Sequence, residues 1–407
     1  MKEVIKRALA EHLEIARERL GKRLVERDVP DLRRFLQIPN ILALLGVRRC
    51  GKSTLALMVA RGSRFVYINF DDETLFGLRP EQLRVVDEAV HELVGKPELY
   101  ILDEIHNVER WELFVQRLRE RGERVIVTGS NSRMLAGELA SALTGRHVKY
   151  VLTPFSFREY LKFRGQLPGA EELYTTRGVA ALKRELSTYL KVGGFPEALI
   201  IGREVAAGIY ADILFKDVVA RRRIRDVEGF RDFARSVVSY YAGQFSVRRI
   251  AKSAGVDYKT AVAWIQAMTD AYLIYLVPRY GERPREIFTY IKKLYVVDPS
   301  IISVAALKKE DMGRLMENVV AMHLLRKTQG EGLYYVRGED YEVDFYVEDE
   351  KWLIQVTHQL EHPRELRALE KASARLRPRR MTVVTWDEEE QLGKIEVVPL
   401  YKLLLTY

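Results

Sequence analysis

Apolar and polar positions change their period along the chain, and the changes divide it. Residues 1–38 carry aliphatics at helical spacing, among them Leu9, Leu13, Ile15, Ala16 and Leu20, with charged residues between them and Gly21 as a stop. They predict a helical segment. From residue 39, short apolar runs take over at 41–45, 65–70, 99–103, 124–128 and 147–152, separated by stretches of helical period. Strands alternating with helices predict an α/β core over 39–175 whose sheet is parallel and wound with α-crossovers. Residues 226–299 read as helix, glycine turn, second helix and strands, and 300–407 as a further α/β segment.

The first apolar run, Ile41 to Leu45, leads directly into Gly46-Val47-Arg48-Arg49-Cys50-Gly51-Lys52-Ser53-Thr54. This matches G-x-x-x-x-G-K-[ST], a phosphate-binding P-loop, in its expected place between a strand and a helix. The glycines let backbone N–H groups wrap anionic phosphates, Lys52 reaches the outer phosphates, and the Ser53 hydroxyl is placed to ligate Mg²⁺. The third run ends in Asp103 and Glu104. Asp103 is expected to hold Mg²⁺ through water and Glu104 to polarise the attacking water. The two motifs, in this order within one α/β unit, predict nucleotide binding.

Other polar residues collect at the same strand ends. Asn69, followed by Asp71 and Asp72, either hydrogen-bonds Glu104 and gates it or is satisfied by backbone. The fourth run opens into Thr128-Gly129-Ser130-Asn131-Ser132, where Ser130 and Asn131 are candidates to sense a γ-phosphate and orient water. Arg146, after Gly145, is either an arginine finger, for its own site or a neighbouring subunit's, or a surface arginine.

Composition narrows the setting. The 407 residues are 47% hydrophobic, enough to bury several cores. Lys plus Arg number 66 against 57 acids, and the resulting charge of +9 makes polyanions candidate partners. With 30% of residues charged, much of that is mixed-sign surface. The single cysteine, Cys50, excludes an intramolecular disulfide and a Cys-rich zinc site. No apolar stretch reaches membrane-spanning length, and the N-terminal Lys2, Glu3, Lys6 and Arg7 stand where a signal peptide would be apolar. A cytoplasmic protein is expected.

Taken together, GVRRCGKST, LYILDEIHNVERW, VTGSNS, LTGR and PFSFREYL resemble a family of AAA+-type P-loop ATPases of archaea and bacteria, joined to a C-terminal domain of unknown function. The segments around Gly193-Gly194-Phe195-Pro196, Lys292 to Pro299 and Met316 to Val320 are similar to that family as well. The resemblance implies a preference for ATP. It also implies a helical lid over 176–225, in which Pro196 lies against the nucleotide base; alternatively the glycines and Pro196 form an ordinary helix-breaking turn.

The pattern over 226–299 fits a winged helix-turn-helix. Its second helix offers Tyr258, Lys259, Thr260 and Gln266, with Arg248, Arg249, Arg279, Arg283 and Arg285 near for phosphates and a wing strand expected near Ile287. Such modules bind DNA, here chiefly through phosphates, or serve as packing units. Residues 300–407 resemble the restriction-endonuclease-like fold. Glu317 and Asp344 match two of its metal-binding acids, but Gln355 stands in place of a second acid and Thr357 in place of the lysine, so a catalytically inactive domain is expected.

The sequence therefore predicts an α/β protein with an AAA+ P-loop core, lid, winged helix and nuclease-like domain. The expected activity is Mg²⁺-dependent ATP hydrolysis coupled to DNA binding or remodelling, with homo-oligomerisation left open. The alternative is a slow nucleotide-dependent switch that binds a protein partner, and a third reading is an active metal-dependent nuclease.

Overall fold

The computed structural model describes residues 1–37, 40–132, 147–202, 204–281, 291–307, 311–360 and 363–407. Arg146, Arg283, Arg285 and the wing strand expected near Ile287 lie outside them. The chain divides into two compact units, Met1–Leu152 and Thr153–Tyr407.

In the first unit, helix α1 (Lys2–Gly21) buries Ile5, Ala8, Leu9, His12, Leu13 and Ala16, the stripe its spacing dictates. Five parallel strands follow: β1 (Ile41–Leu45), β2 (Phe65–Asn69), β3 (Leu99–Asp103), β4 (Arg124–Gly129) and β5 (His147–Val151), in spatial order β2-β3-β4-β1-β5. Every residue of β1 and β3 is buried, as strands covered on both faces require. Between them run α2 (Lys52–Ala60), α3 (Leu83–Val94) and α4 (Trp111–Glu120). The five strands lie where the apolar runs predict. Because β4 is inserted between β3 and β1, the P-loop after β1 and the acids that close β3 converge on a strand end that neither supplies.

The stretch from Thr153 to 175, grouped with the ATPase core on sequence, packs with the second unit. Phe157 and Tyr160, on a helix opened by the Ser156/Glu159 capping box, lie with ring centroids 5.6 and 5.4 Å from Tyr189. Further on, Gly193 (φ +71°) ends the helix Thr176–Val192 and Pro196 opens the helix Pro196–Ile201. A side chain on Gly194 would run into the backbone of Phe155, 2.1 Å away, so only glycine fits.

Two helices, Val247–Ser253 and Tyr258–Asp270, are joined by a turn with Gly255 at φ +66°. They accompany a three-stranded antiparallel sheet of β6 (Gly243–Phe245), β7 (Ile274–Val277) and β8 (Lys292–Val296), in the order β6-β8-β7. The C-terminal part holds a six-stranded mixed sheet. Its strands are β9 (Leu333–Arg337), β10 (Glu342–Val347), β11 (Trp352–Val356), β12 (Arg380–Thr385), β13 (Glu390–Leu392) and β14 (Ile395–Pro399), in the order β13-β14-β12-β11-β10-β9. The helix Met312–Thr328 packs on it.

Candidate active site

The P-loop backbone explains its sequence. Gly46 has φ +144°, and a Cβ there would stand 1.9 Å from the Leu152 carbonyl oxygen; Gly51 has φ +100° and precedes α2 directly. Val47 and Cys50 are fully buried. The Cys50 Sγ lies 3.4 Å from the Leu152 carbonyl, and burial pushes its thiol up, so it is an inert anchor under the loop. Arg49 turns the loop at φ +65°, and Arg48 Nη1 lies 3.5 Å from Asp71 Oδ2. Lys52 is folded back, donating to the carbonyls of Gly46 (3.2 Å) and Val47 (3.1 Å). Its Nζ is 3.6 Å from Glu104 Oε1. Thr54 is half-buried on the first turn of α2.

Asp103 is the most heavily coordinated side chain of the site. Its Oδ1 accepts from Ser53 Oγ at 3.0 Å and from the Thr128 hydroxyl, and its Oδ2 accepts from the Tyr67 phenol at 2.6 Å. Burial, and after it the Glu104 charge, push the Asp103 carboxyl up, while the three hydroxyls work the other way. Thr128 Oγ1 also accepts the Glu104 amide N–H at 3.0 Å. One threonine therefore joins both acids. Glu104 holds a left-handed backbone (φ +52°), a strained conformation for a non-glycine, and its Oε2 is 3.4 Å from His106 Nδ1.

Of the predicted residues, Lys52, Ser53, Asp103 and Glu104 are brought together. Ser130 is fully buried and Asn131 half-buried beyond the end of β4, but the side chain there that bonds Asp103 is Thr128. Asn69 takes the second of its two anticipated roles, its Oδ1 accepting the Asp71 N–H at 3.1 Å. Two partners were missed. Thr128 carried a usable signal, a hydroxyl at the end of an apolar strand; Tyr67, two residues before a strand end, read as ordinary core.

In the second unit, Arg248, Arg249, Tyr258 and Lys259 are exposed and Thr260 is half-buried. The Arg248 guanidinium lies 5.6 Å from the Tyr258 ring centroid. Asp257 caps the helix through the Lys259 and Thr260 amides, and Gln266 is engaged with Asp270 at 2.9 Å.

Glu317 and Asp344 do meet, around an unanticipated cation. Lys293 of β8 places Nζ 2.7 Å from Asp344 Oδ1, 3.0 Å from Glu317 Oε1 and 2.8 Å from Glu342 Oε1. Burial works against this ammonium, but Asp344 and Glu317 outweigh it and hold the lysine well above its ordinary value. Burial and the Asp344 charge push the Glu317 carboxyl up. Gln355 Oε1 accepts the Asp344 amide N–H at 3.3 Å, and the Thr357 hydroxyl donates to the Gln359 carbonyl at 2.8 Å. Lys293 and Asp344 are 51 residues apart in sequence, a pairing that no local spacing reveals.

An AAA domain profile matches residues 39–161, and two domains of unknown function follow: DUF8612 over 183–312 and DUF4143 over 312–403. The uncharacterized Methanocaldococcus jannaschii protein MJ1544 is 31% identical, with the match spanning 98% of this chain and 94% of that protein. The chain belongs to the archaeal and bacterial P-loop ATPase family with a C-terminal DUF4143 region. An uncharacterized Haemophilus influenzae protein is 25% identical, over 84% of this chain and 88% of its own length. Among solved structures, the Walker-type ATPase PABY2304 of Pyrococcus abyssi is similar at 18% identity and a TM-score of 0.44, over 75% of this chain and 95% of that one. No described helix is long and apolar enough to cross a membrane.

Proposed function

We propose that this P-loop ATPase binds ATP with Mg²⁺, hydrolyses it, and couples the cycle to DNA held by the helix-turn-helix segment. The observation that carries the nucleotide half is the junction of Ser53, Asp103, Thr128 and Glu104 beside Lys52. Among the described residues no group of three or more His, Cys, Asp and Glu is suited to hold a metal alone. A Mg²⁺ would instead draw on the Ser53 hydroxyl and the phosphates, with Asp103 behind it, and that donor set fits the ion. When bound, it would neutralise phosphate charge. Lys52 would leave the Gly46 and Val47 carbonyls for the phosphates, and Glu104, released from Lys52, would orient water and take its proton.

The DNA half is supported by the exposed Arg248, Arg249, Lys259 and Tyr258 on two helices joined by a tight turn. With Gln266 engaged by Asp270, phosphate contacts outweigh base reading. We read Lys293, lodged among Glu317, Glu342 and Asp344, as the cation that makes metal-dependent cleavage by this cluster unnecessary to invoke. Duplex-DNA binding at two salt concentrations tests the reading: the Arg248→Ala, Lys259→Ala double variant should bind several-fold more weakly and with a shallower salt slope. Equal binding by variant and wild type, or none by either, would favour the second reading, a nucleotide-dependent switch with a protein partner.

A further inference from the structure

Two arginines between α1 and β1, Arg27 and Arg33, reach opposite ends of α2. Arg33, in the short helical turn Leu32–Leu36, donates to the carbonyls of Met58, Val59 and Arg61 at the C-terminal end of α2, at 3.2 to 3.3 Å. A cation there complements the negative end of the helix. Six residues earlier, Arg27 reaches the other end. It is buried, 8% exposed, and its Nη1 donates to the Cys50 carbonyl at 2.9 Å. The same nitrogen stands 3.3 Å from where a Gly51 Cβ would be. Gly51 therefore serves two needs at once: a left-handed backbone at φ +100°, and room for a guanidinium against the loop.

The Cys50 carbonyl and the Gly51 N–H belong to one peptide unit. No described peptide bond is cis, and in a trans peptide the C=O and N–H point in opposite directions. A group that holds the carbonyl on one side thus fixes the amide on the other, and an accepting carbonyl polarises the N–H it is conjugated to. In a phosphate-binding loop the useful groups are such N–H donors, whose worth depends on being oriented before the anion arrives.

We propose that Arg27 is a positioning residue of the nucleotide site: by gripping the Cys50 carbonyl it holds the 50–51 peptide with the Gly51 N–H turned toward the bound phosphates. This rests on the reading of the P-loop as a nucleotide site and adds a consequence to it. Grip and phosphate act on one peptide, so each strengthens the other, and nucleotide occupancy tightens residues 22–31 against the loop. The segment that follows α1 becomes a reporter of the nucleotide state.

The experiment uses the full chain and a fluorescent ADP analogue, with wild type, Arg27→Lys and Arg27→Met. Arg27→Met should weaken ADP about tenfold, and Arg27→Lys, which retains a donor for the carbonyl, should recover most of the loss. Amide hydrogen exchange supplies the readout that a purely structural role would not move: in wild type, saturating ADP should slow exchange across residues 22–31 several-fold. That arm needs no variant to fold. Wild type that binds ADP with exchange at 22–31 unchanged overturns the proposal, as does Arg27→Met binding ADP like wild type. Wild type that binds no ADP removes the nucleotide-site reading itself and the proposal with it.

Discussion

Tyr67 donates its phenolic hydroxyl to Asp103 Oδ2 at 2.6 Å, from a strand two residues short of the site edge. With Ser53 and Thr128 on the other oxygen, it leaves the carboxylate one orientation. Tyr67→Phe removes that donor and little else. ATP turnover should fall about tenfold, the usual scale for a group that orients a carboxylate proposed to support a metal, while ADP affinity stays within about threefold. Steady-state hydrolysis and fluorescent-ADP titration separate the two; a loss of affinity with turnover per bound enzyme unchanged would contradict the assignment.

Lys52 and Glu104 face each other at 3.6 Å, and the proposed reading gives them different tasks. Lys52→Ala should abolish tight nucleotide binding. Glu104→Gln should bind ATP at least as well as wild type and hydrolyse it about 10²- to 10⁴-fold more slowly, the range lost with a general base. Single-turnover hydrolysis of labelled ATP measures this, and normal turnover by Glu104→Gln would remove Glu104 from its role.

Lys293 is the cation holding β8 to the helix and strand that carry Glu317, Glu342 and Asp344. Lys293→Met leaves Glu317 and Asp344 buried around an apolar chain, with Glu342 half-buried beside them. The expected cost is about 3–5 kcal/mol of unfolding free energy, typical of a broken buried pair. Glu317→Gln in the same chain should return part of it, because one of the orphaned charges is gone. Urea unfolding monitored by tryptophan fluorescence tests both, and a change below about 1 kcal/mol would make the cluster incidental.

Asp298 ties the Gly193-Gly194 turn to the segment after β8. Its Oδ2 accepts the Gly194 N–H at 2.7 Å and its Oδ1 the Ser300 N–H at 2.9 Å, yet burial pushes the carboxyl up to about 6 from 3.8. A carboxyl that binds its proton more tightly when folded contributes its full stabilisation below about pH 4 and loses it as pH rises through about 6. Asp298→Asn cannot titrate. Between pH 4 and 6 wild type should therefore lose up to about 1.4 kcal/mol per pH unit relative to the variant. Urea unfolding at pH 4, 5 and 6 gives the slope, and a constant difference between the two proteins would contradict it.

The five parallel strands and the residues of the P-loop were legible because each is a local pattern: a buried strand is a run of apolar residues, and a phosphate loop needs its glycines at fixed spacing. Asp103 and Glu104 were legible for the same reason, as acids closing such a run. What escaped depends on the order of strands in the sheet. Thr128 meets Asp103 because β4 is inserted beside β3, and Tyr67 because β2 flanks it on the other side. Lys293 and Arg27 are longer-range cases, basic residues in a chain with many, whose partners 51 and 23 positions away are chosen by tertiary packing alone.

Coupling of ATP hydrolysis to DNA is measured by steady-state turnover with and without duplex, single-stranded and branched DNA, at two salt concentrations, with Glu104→Gln as the blank. Mg²⁺-dependent turnover should rise several-fold with one DNA form, and the stimulation should weaken at the higher salt. Turnover indifferent to every DNA form, at both salt concentrations, would contradict the coupling.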